Sequence, residues 1–324
     1  MKIDNYIAFI ALFIFNPISL IANPTAQLTF HVVSDDGKPV PNVPLLLSSF
    51  DHWQPGEGFG RDIYTNTTVK TDDNGVVTVT ENIARGDVHY GENQLSGYYS
   101  GGGKYQFKSV LNGKWQPWNP TVEFVVKPIL NPIPMYAQAV RTTIPAKNKA
   151  IGYDLEIGDW VAPYGKGSVS DFIFSLNEKV PFTKLSQPYD VINLLSFSNI
   201  GDGIQSLMLT GAVGSSFRLP RFAPANEYQP TLSQQLYSIN NKISDGAVSN
   251  NQNYFYRVRT VLDGSGNVKS ALYGKISGPI ECGAQGYIQF TYYLNPTPND
   301  RNMEFDPSKN LFQNLPTLQQ VTAP

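Results

Sequence analysis

The sequence has 324 residues, of which 41% are hydrophobic and 15% charged, and its net charge is -2. This length exceeds that of one typical domain, so two folded units are expected. A nearly neutral chain lacks the basic surface that attracts phosphate groups, which argues against nucleic acid as a partner. The 27 Gly, 24 Pro, 18 Tyr and 18 Phe residues are typical of strands joined by many turns, and they favour an all-β protein.

The beginning of the chain, residues 1–22, has the layout of a signal peptide. Lys2 precedes an apolar run that Asn16 and Pro17 interrupt, and Ala22 offers a small residue for cleavage. The apolar run is shorter than the roughly 20 residues that span a bilayer. We therefore predict an exported protein, located in the periplasm, on the cell surface or outside the cell. If the segment is not cleaved, it would instead anchor the chain in the membrane.

A first β-sandwich is predicted over residues 26–127. Short runs with the two-residue periodicity of strands occur at 27–33, 43–47, 75–80, 104–108 and 121–126. Two turns separate them, Ser34-Asp-Asp-Gly37 and Thr71-Asp-Asp-Asn-Gly75, in which Gly accepts a positive φ and Asp caps its own backbone.

These turns and strands resemble the carboxypeptidase regulatory-like or CnaB-like group of prealbumin-type sandwiches. The residues that carry the resemblance are Gly37, Pro39, Val40, Asn42, Val43, Thr71, Asp72, Gly75 and Val77. Such modules serve as stalks, spacers, adhesion units and sugar-contacting accessories, so the resemblance implies a fold and leaves the function open. Some relatives cross-link a Lys of the first strand, but residues 27–33 contain no Lys, so no such cross-link is expected here.

The rest of the chain is predicted to hold a Pro-rich linker at 128–140, a second β-sandwich at 141–295 and a C-terminal strap or tail at 296–324. Its apolar runs lie at 151–156, 169–176, 191–198, 204–209, 254–262, 268–276 and 287–294. Residues 254–276 form the clearest hairpin, with the turn Asp263-Gly-Ser-Gly-Asn267. The best candidate for a helix is residues 230–241.

Tryptophans beside Pro or Gly supply the candidate binding residues. The segments DHWQPG, GKWQPWNP and GDWVAPYG predict a binding surface made of Trp53, Trp115, Trp118, Trp160 and Tyr164. A Trp in a loop can stack on a sugar ring or anchor a partner protein, or it can plug the open end of its own sandwich. Both interpretations are open at this stage.

Oxygen-rich segments supply the candidate metal and acid groups. Asp300, Asn302, Glu304 and Asp306 alternate along the chain and predict a Ca²⁺ site, since Ca²⁺ prefers carboxylate and carbonyl oxygens. A glycosidase needs two facing carboxylates, and Asp154, Glu156, Asp159 and Asp171 are the candidates. Solvated strand faces explain the same four residues, so no catalytic residue is assigned. No other cofactor is expected. The single cysteine, Cys282, is expected to be a small buried residue.

These observations predict a non-enzymatic exported protein, a structural or binding component of the bacterial envelope or extracellular surface. Its expected partner is an envelope protein or a glycan. The alternative is a carbohydrate-binding or carbohydrate-active protein that uses the Trp-bearing loops. A third hypothesis is a subunit of a larger assembly, in which an edge strand pairs with a neighbouring copy.

Overall fold

A computed structural model of the protein describes residues 22–56, 58–92, 95–209 and 214–324. The signal peptide predicted for residues 1–22 therefore lies, except for Ala22, outside the described residues. The strands are β1 (Thr25–Ser34), β2 (Pro44–Gln54), β3 (Arg61–Lys70), β4 (Val76–Asn82), β5 (Asp87–Glu92), β6 (Gly102–Gln106), β7 (Ser109–Leu111), β8 (Lys114–Gln116), β9 (Thr121–Val126), β10 (Tyr136–Thr143), β11 (Ile151–Asp154), β12 (Asp159–Trp160), β13 (Phe172–Val180), β14 (Tyr189–Ser196), β15 (Gly203–Met208), β16 (Thr231–Ile239), β17 (Lys242–Ser244), β18 (Gln252–Leu262), β19 (Val268–Ile276), β20 (Glu281–Cys282) and β21 (Tyr287–Asn295). Two short 3₁₀ helices, Pro307–Lys309 and Thr317–Gln319, follow the last strand.

Strands β1 to β9 form the first sandwich. One sheet places β1 between β4 and β9, with β8 and β7 extending it, and the other has the order β3-β2-β5-β6. Because alternate residues of a strand point to one face, Leu28, Phe30 and Val32 of β1 all lie in the core between the sheets. The ring of Tyr90 on β5 packs edge-on against Phe30 and Phe124 of the opposite sheet.

Strands β10 to β21 form the second sandwich. One sheet has the order β10-β21-β19-β18-β15, with β20 beside β21, and the facing sheet has the order β12-β11-β13-β14-β16-β17. Aromatic rings join the two sheets, since Phe172 lies 4.9 Å from Tyr256 and Phe174 lies 5.7 Å from Phe290 between ring centroids.

The sheet that contains β18, β19 and β21 is covered on both faces, which is why these strands read as nearly continuous apolar runs. Its inner face meets the other sheet, and its outer face is covered by residues 214–223, 128–135 and the segment after β21. Met135, Met303 and Phe305 are fully buried in this outer layer. The C-terminal residues therefore complete a core.

The all-β fold class with two sandwiches is confirmed. The helix predicted at residues 230–241 is wrong, since β16 occupies this segment and Leu236 on it is buried in the core. The Pro-rich linker predicted for 128–140 extends too far, because β10 begins at Tyr136, directly after the prolines end, and pairs with β21. Within the described part of the chain, no helix has the length and apolarity needed to cross a membrane.

Candidate functional site at the junction of the two sandwiches

Three segments meet where the two sandwiches touch, and we call this place the junction. Residues 98–102 come from the first sandwich, residues 214–222 connect β15 to β16, and residues 301–305 follow β21. Main-chain hydrogen bonds tie them together: Ser216 donates to the Ser100 carbonyl over 2.6 Å, and Met303 donates to the Arg221 carbonyl over 2.8 Å. A side chain at Gly101 would collide with the carbonyl of Gly214, so this approach requires glycine.

Glu304 is fully buried at the centre of the junction and each of its oxygens is paired. Oε1 accepts hydrogen bonds from the Tyr99 hydroxyl at 2.9 Å and the Leu130 N–H at 2.8 Å. Oε2 accepts from the Asn131 N–H at 2.9 Å and forms an ion pair with Nη1 of Arg221 at 2.5 Å. Burial alone would raise the pKa of Glu304, but these donors outweigh burial and hold its pKa below the ordinary value. The carboxylate is therefore ionised inside the protein.

Arg221 extends this contact from the second sandwich to the first. Its Nη2 group donates to the Pro128 carbonyl at 2.9 Å and to Oδ2 of Asp35 at 3.2 Å. Asp35 belongs to the turn after β1, and the Arg221 side chain is 11% exposed. One guanidinium thus contacts the turn after β1, the segment after β9 and the buried carboxylate. Arginine suits this position because its planar guanidinium carries five N–H donors in a fixed geometry.

A single phenyl ring, that of Phe217, lies among three cations. The ring is fully buried, and its centroid lies 5.0 Å from Nζ of Lys127, 5.3 Å from the Arg221 guanidinium and 4.8 Å from Nζ of Lys275. The face of an aromatic ring attracts cations, most strongly away from water. Tyr99 from the first sandwich packs against the same ring at 5.2 Å, so Phe217 is shared by both sandwiches.

Lys275 is the most unusual group of the junction because it lies on β19 with only 1% of its surface exposed. Its Nζ donates to the Met303 carbonyl at 2.8 Å and also lies 4.5 Å from the ring of Tyr293. Burial, together with the nearby charge of Lys127, lowers the pKa of Lys275 to about 7, against the opposing effect of Glu304. The buried environment therefore shifts this lysine towards its neutral form.

The predicted binding residues are spread over both sandwiches and have different exposures. Trp53 at the end of β2 is 54% exposed, and Trp118 is 37% exposed with Nζ of Lys114 over its ring at 4.5 Å. Trp115 is half-buried and donates from its indole N–H to the Ile83 carbonyl at 3.0 Å. Trp160 is only 6% exposed and packs on Tyr153 and Phe174 in the core, whereas Tyr164 is 40% exposed.

The predicted calcium ligands lie along one extended segment, but each side chain forms hydrogen bonds with other groups of the protein. Asn302 is buried and donates to the Asn131 carbonyl, and Glu304 belongs to the junction. Asp300 accepts from the Asn295 amide, and Asp306 caps the first 3₁₀ helix through the Ser308 N–H. Across the described ranges, no three His, Cys, Asp or Glu side chains come together where they could hold a metal ion. The Ca²⁺ site remains a prediction from the sequence.

The candidate glycosidase acids Asp154, Glu156 and Asp171 converge on one arginine, Arg259. Its guanidinium forms a forked contact with Asp171 at 2.8 and 3.0 Å and an ion pair with Glu156 at 2.8 Å. Burial opposes ionisation of Asp154, but the N–H groups of Ser168, Val169 and two further residues outweigh it and lower the pKa of this carboxyl. Asp159 accepts from the Trp160 and Lys166 N–H groups. These carboxylates thus fix local turns and strands.

The junction was missed as a site because its members are far apart in sequence. The sequence marks Glu304 only as a calcium candidate, and Tyr99, its hydrogen-bond partner, lies 205 positions away. One local signal existed, since Lys275 interrupts the apolar run Ala271-Leu-Tyr-Gly-Lys-Ile276. A lysine inside a strand that is buried on both faces must find a hydrogen-bond or charge partner in the interior, because burying its charge alone is costly.

Comparisons with known proteins assign no family to the chain. No family model matches the chain, and no curated protein matches. A streptococcal ancillary pilin is 15% identical with a TM-score of 0.21, covering 54% of this chain and 59% of its own length. BcpA, the major pilin subunit of Bacillus cereus, is 9% identical with a TM-score of 0.22, covering 82% of this chain and 95% of its own. The chain thus spans about 59% of the ancillary pilin. Similarity at this level does not define a function for the chain.

Proposed function

We propose that this protein is an exported, non-enzymatic structural component of the bacterial envelope or extracellular surface, with another envelope protein as its partner. The observation that carries the proposal is the junction. Ionised Glu304, its partner Arg221 and the shared ring of Phe217 are withdrawn from water between the two sandwiches. Rotating one sandwich against the other would separate these groups and expose a buried charge without a partner, which costs several kcal/mol. The two sandwiches therefore act as one stiff unit.

The strand order of the first sandwich is also suited to a structural role, because it can resist a pulling force. Its first strand, β1, pairs in parallel with its last strand, β9, from the pair Thr29 with Thr121 to the pair Ser34 with Val126. A pull on the start of β1 and on the end of β9 slides the two strands along each other. All the hydrogen bonds of the pair are then loaded together, rather than broken one after another.

Single-molecule force measurement tests this proposal. Handles at Asn23 and at Leu130, an exposed residue shortly after β9, load β1 against β9 in shear. Matched handles at the exposed turn residues Asp36 and Asp73 load the β2–β3 hairpin from one end, since Pro44 pairs with Lys70 there. We expect a markedly higher unfolding force in the first geometry, because six residue pairs must separate at once.

Equal forces in the two geometries would contradict a structural role that depends on shear. Turnover of an envelope polysaccharide by the purified protein would contradict the non-enzymatic part of the proposal. Cell fractionation gives a separate check, because the protein must be recovered outside the cytoplasm.

A further inference from the structure

A cavity lies away from the junction, between the two sheets of the second sandwich. It lies between β14 and β16 of one sheet and β18 and β20 of the other, and its volume is about 440 Å³ when the part that is open to solvent is included. Its walls are mainly apolar and come from Phe174, Leu195, Leu232, Tyr254 and Ile280, with the thiol of Cys282 among them. Val248, in the segment after β17, lies at its edge.

Asn193 places an amide on the core side of this cavity. On β14, the residues Tyr189, Val191, Asn193 and Leu195 alternate towards the core, and Asn193 is only 4% exposed. Neither its Nδ2 nor its Oδ1 atom has a hydrogen-bond partner among the described residues. A buried amide left without partners is rare in folded proteins and destabilises the free protein.

Gln234 adds a second amide beside the first. It pairs directly with Asn193 across β14 and β16, so both side chains face the cavity. Its Nε2 group donates to the Gly246 carbonyl, while its Oε1 atom has no partner within the described part of the chain. The cavity thus presents one unpaired donor and two unpaired acceptors, side by side on an apolar wall.

The charges at the entrance restrict what can bind. A shallower depression that shares Gln234, Val248 and Cys282 with the cavity is bordered by Asp245 and Glu281. No Lys, Arg or His side chain of the described ranges lines either space. An anionic ligand would meet carboxylates without a compensating cation, so the site favours a neutral molecule.

We propose that this cavity binds a small neutral molecule with an apolar body and a primary carboxamide. The carboxamide oxygen would accept from Nδ2 of Asn193, and its two N–H groups would donate to Oδ1 of Asn193 and Oε1 of Gln234. The body would fill the space between Phe174, Leu195 and Tyr254. This function is independent of the structural role proposed above.

Calorimetric titration of the full chain with three molecules of nearly equal shape tests the proposal. Benzamide carries the carboxamide, benzoate carries an anion, and acetophenone accepts but does not donate hydrogen bonds. We expect benzamide to bind about tenfold or more tightly than either of the others, since each lost hydrogen bond to a buried partner costs about one factor of ten.

Two variants assign the binding to this cavity. Asn193→Leu removes the unpaired amide and should lower benzamide affinity by about tenfold to a hundredfold while raising the melting temperature of the free protein. Val248→Trp fills the entrance from an irregular segment and should abolish binding without unfolding the core. Leu185→Trp, at a position that is 84% exposed, is the matched control and should leave binding unchanged.

The proposal is overturned if benzamide does not bind, if acetophenone binds equally well, or if Asn193→Leu retains full affinity. It is also overturned if Val248→Trp binds benzamide as the unchanged protein does. Because Val248→Trp leaves both amides in place, it decides the location of the site even if Asn193→Leu fails to fold.

Discussion

Replacing Glu304 by Gln tests whether an ionised carboxylate holds the junction together. The substitution keeps the shape of the side chain but removes its charge. The Gln oxygen can still accept from Tyr99 and Leu130, whereas the new NH₂ group would face the Asn131 N–H and the Arg221 guanidinium, so that donor meets donor.

The expected loss of stability can be estimated because the Glu304–Arg221 ion pair is buried. Removing one partner of a buried ion pair costs about 3–5 kcal/mol, and the lower end applies here because Arg221 keeps its contacts with Asp35 and the Pro128 carbonyl. We expect Glu304→Gln to lower the free energy of unfolding by about 3 kcal/mol. For a unit the size of the second sandwich, this corresponds to a fall in melting temperature of about 6–12 °C.

Differential scanning calorimetry and urea denaturation measure the effect. Glu123→Gln, at an exposed position on β9, is the matched control and should change stability by less than about 0.5 kcal/mol. A double-mutant cycle with Arg221→Met isolates the pair. A Glu304→Gln variant as stable as the control would refute the central role of this carboxylate.

The pH dependence of the same pair of proteins gives a second check on Glu304. Its pKa is lowered in the folded state, so its contribution is present above the pKa of the unfolded chain and is lost as pH falls through the lower folded value. The stability difference between the unchanged protein and Glu304→Gln should therefore shrink on acidification. A difference that stays constant into strong acid would show that the carboxylate is not ionised when buried.

Three further perturbations examine the junction and the tryptophans. The pKa of Lys275 is about 7 in the folded protein, which is below its value in the unfolded chain. The free energy of unfolding should therefore rise with pH between about 7 and 10, by up to about 1.4 kcal/mol per pH unit. Lys275→Met should abolish this slope in urea titrations at several pH values. Gly101→Val should open the junction, since a side chain there meets the Gly214 carbonyl, and small-angle scattering should report a longer and more variable particle. Trp160→Ala should cost about 3–5 kcal/mol, whereas Trp53→Ala should cost less than about 0.5 kcal/mol in denaturant titrations, because only the first ring is buried. Partner or glycan binding lost in the stable Trp53→Ala variant would support the binding prediction for this residue.

Periodicity and turn chemistry predicted much of the fold. The hairpin at 254–276 was found because Asp263 and Gly266 form the expected turn, in which Asp263 accepts from the Ser265 and Asn267 N–H groups. These are local interactions, visible within a few residues. The segment of β16 is the best helical candidate in the sequence, but its pairing with β14 overrides that preference.

The junction could not be predicted for a physical reason. The charge of Glu304 is stable only because Arg221 and the Leu130 and Asn131 N–H groups surround it, and the sequence does not say which distant groups will meet. The same holds for Asn193, whose unpaired state depends on what the strands opposite it present.

The strand order has a consequence for the order of folding. In each sandwich the first strand pairs with the last, since β1 pairs with β9 and β10 pairs with β21. Each sheet is therefore complete only when its final strand is in place. A chain that is synthesised from its amino terminus cannot complete either sheet until the final strand of that unit is available. Such long-range pairing slows folding because a large loop must close first. The topology thus leaves both sheets incomplete until their final strands are available, and the Glu304 contacts form last, when residues 301–305 join the junction.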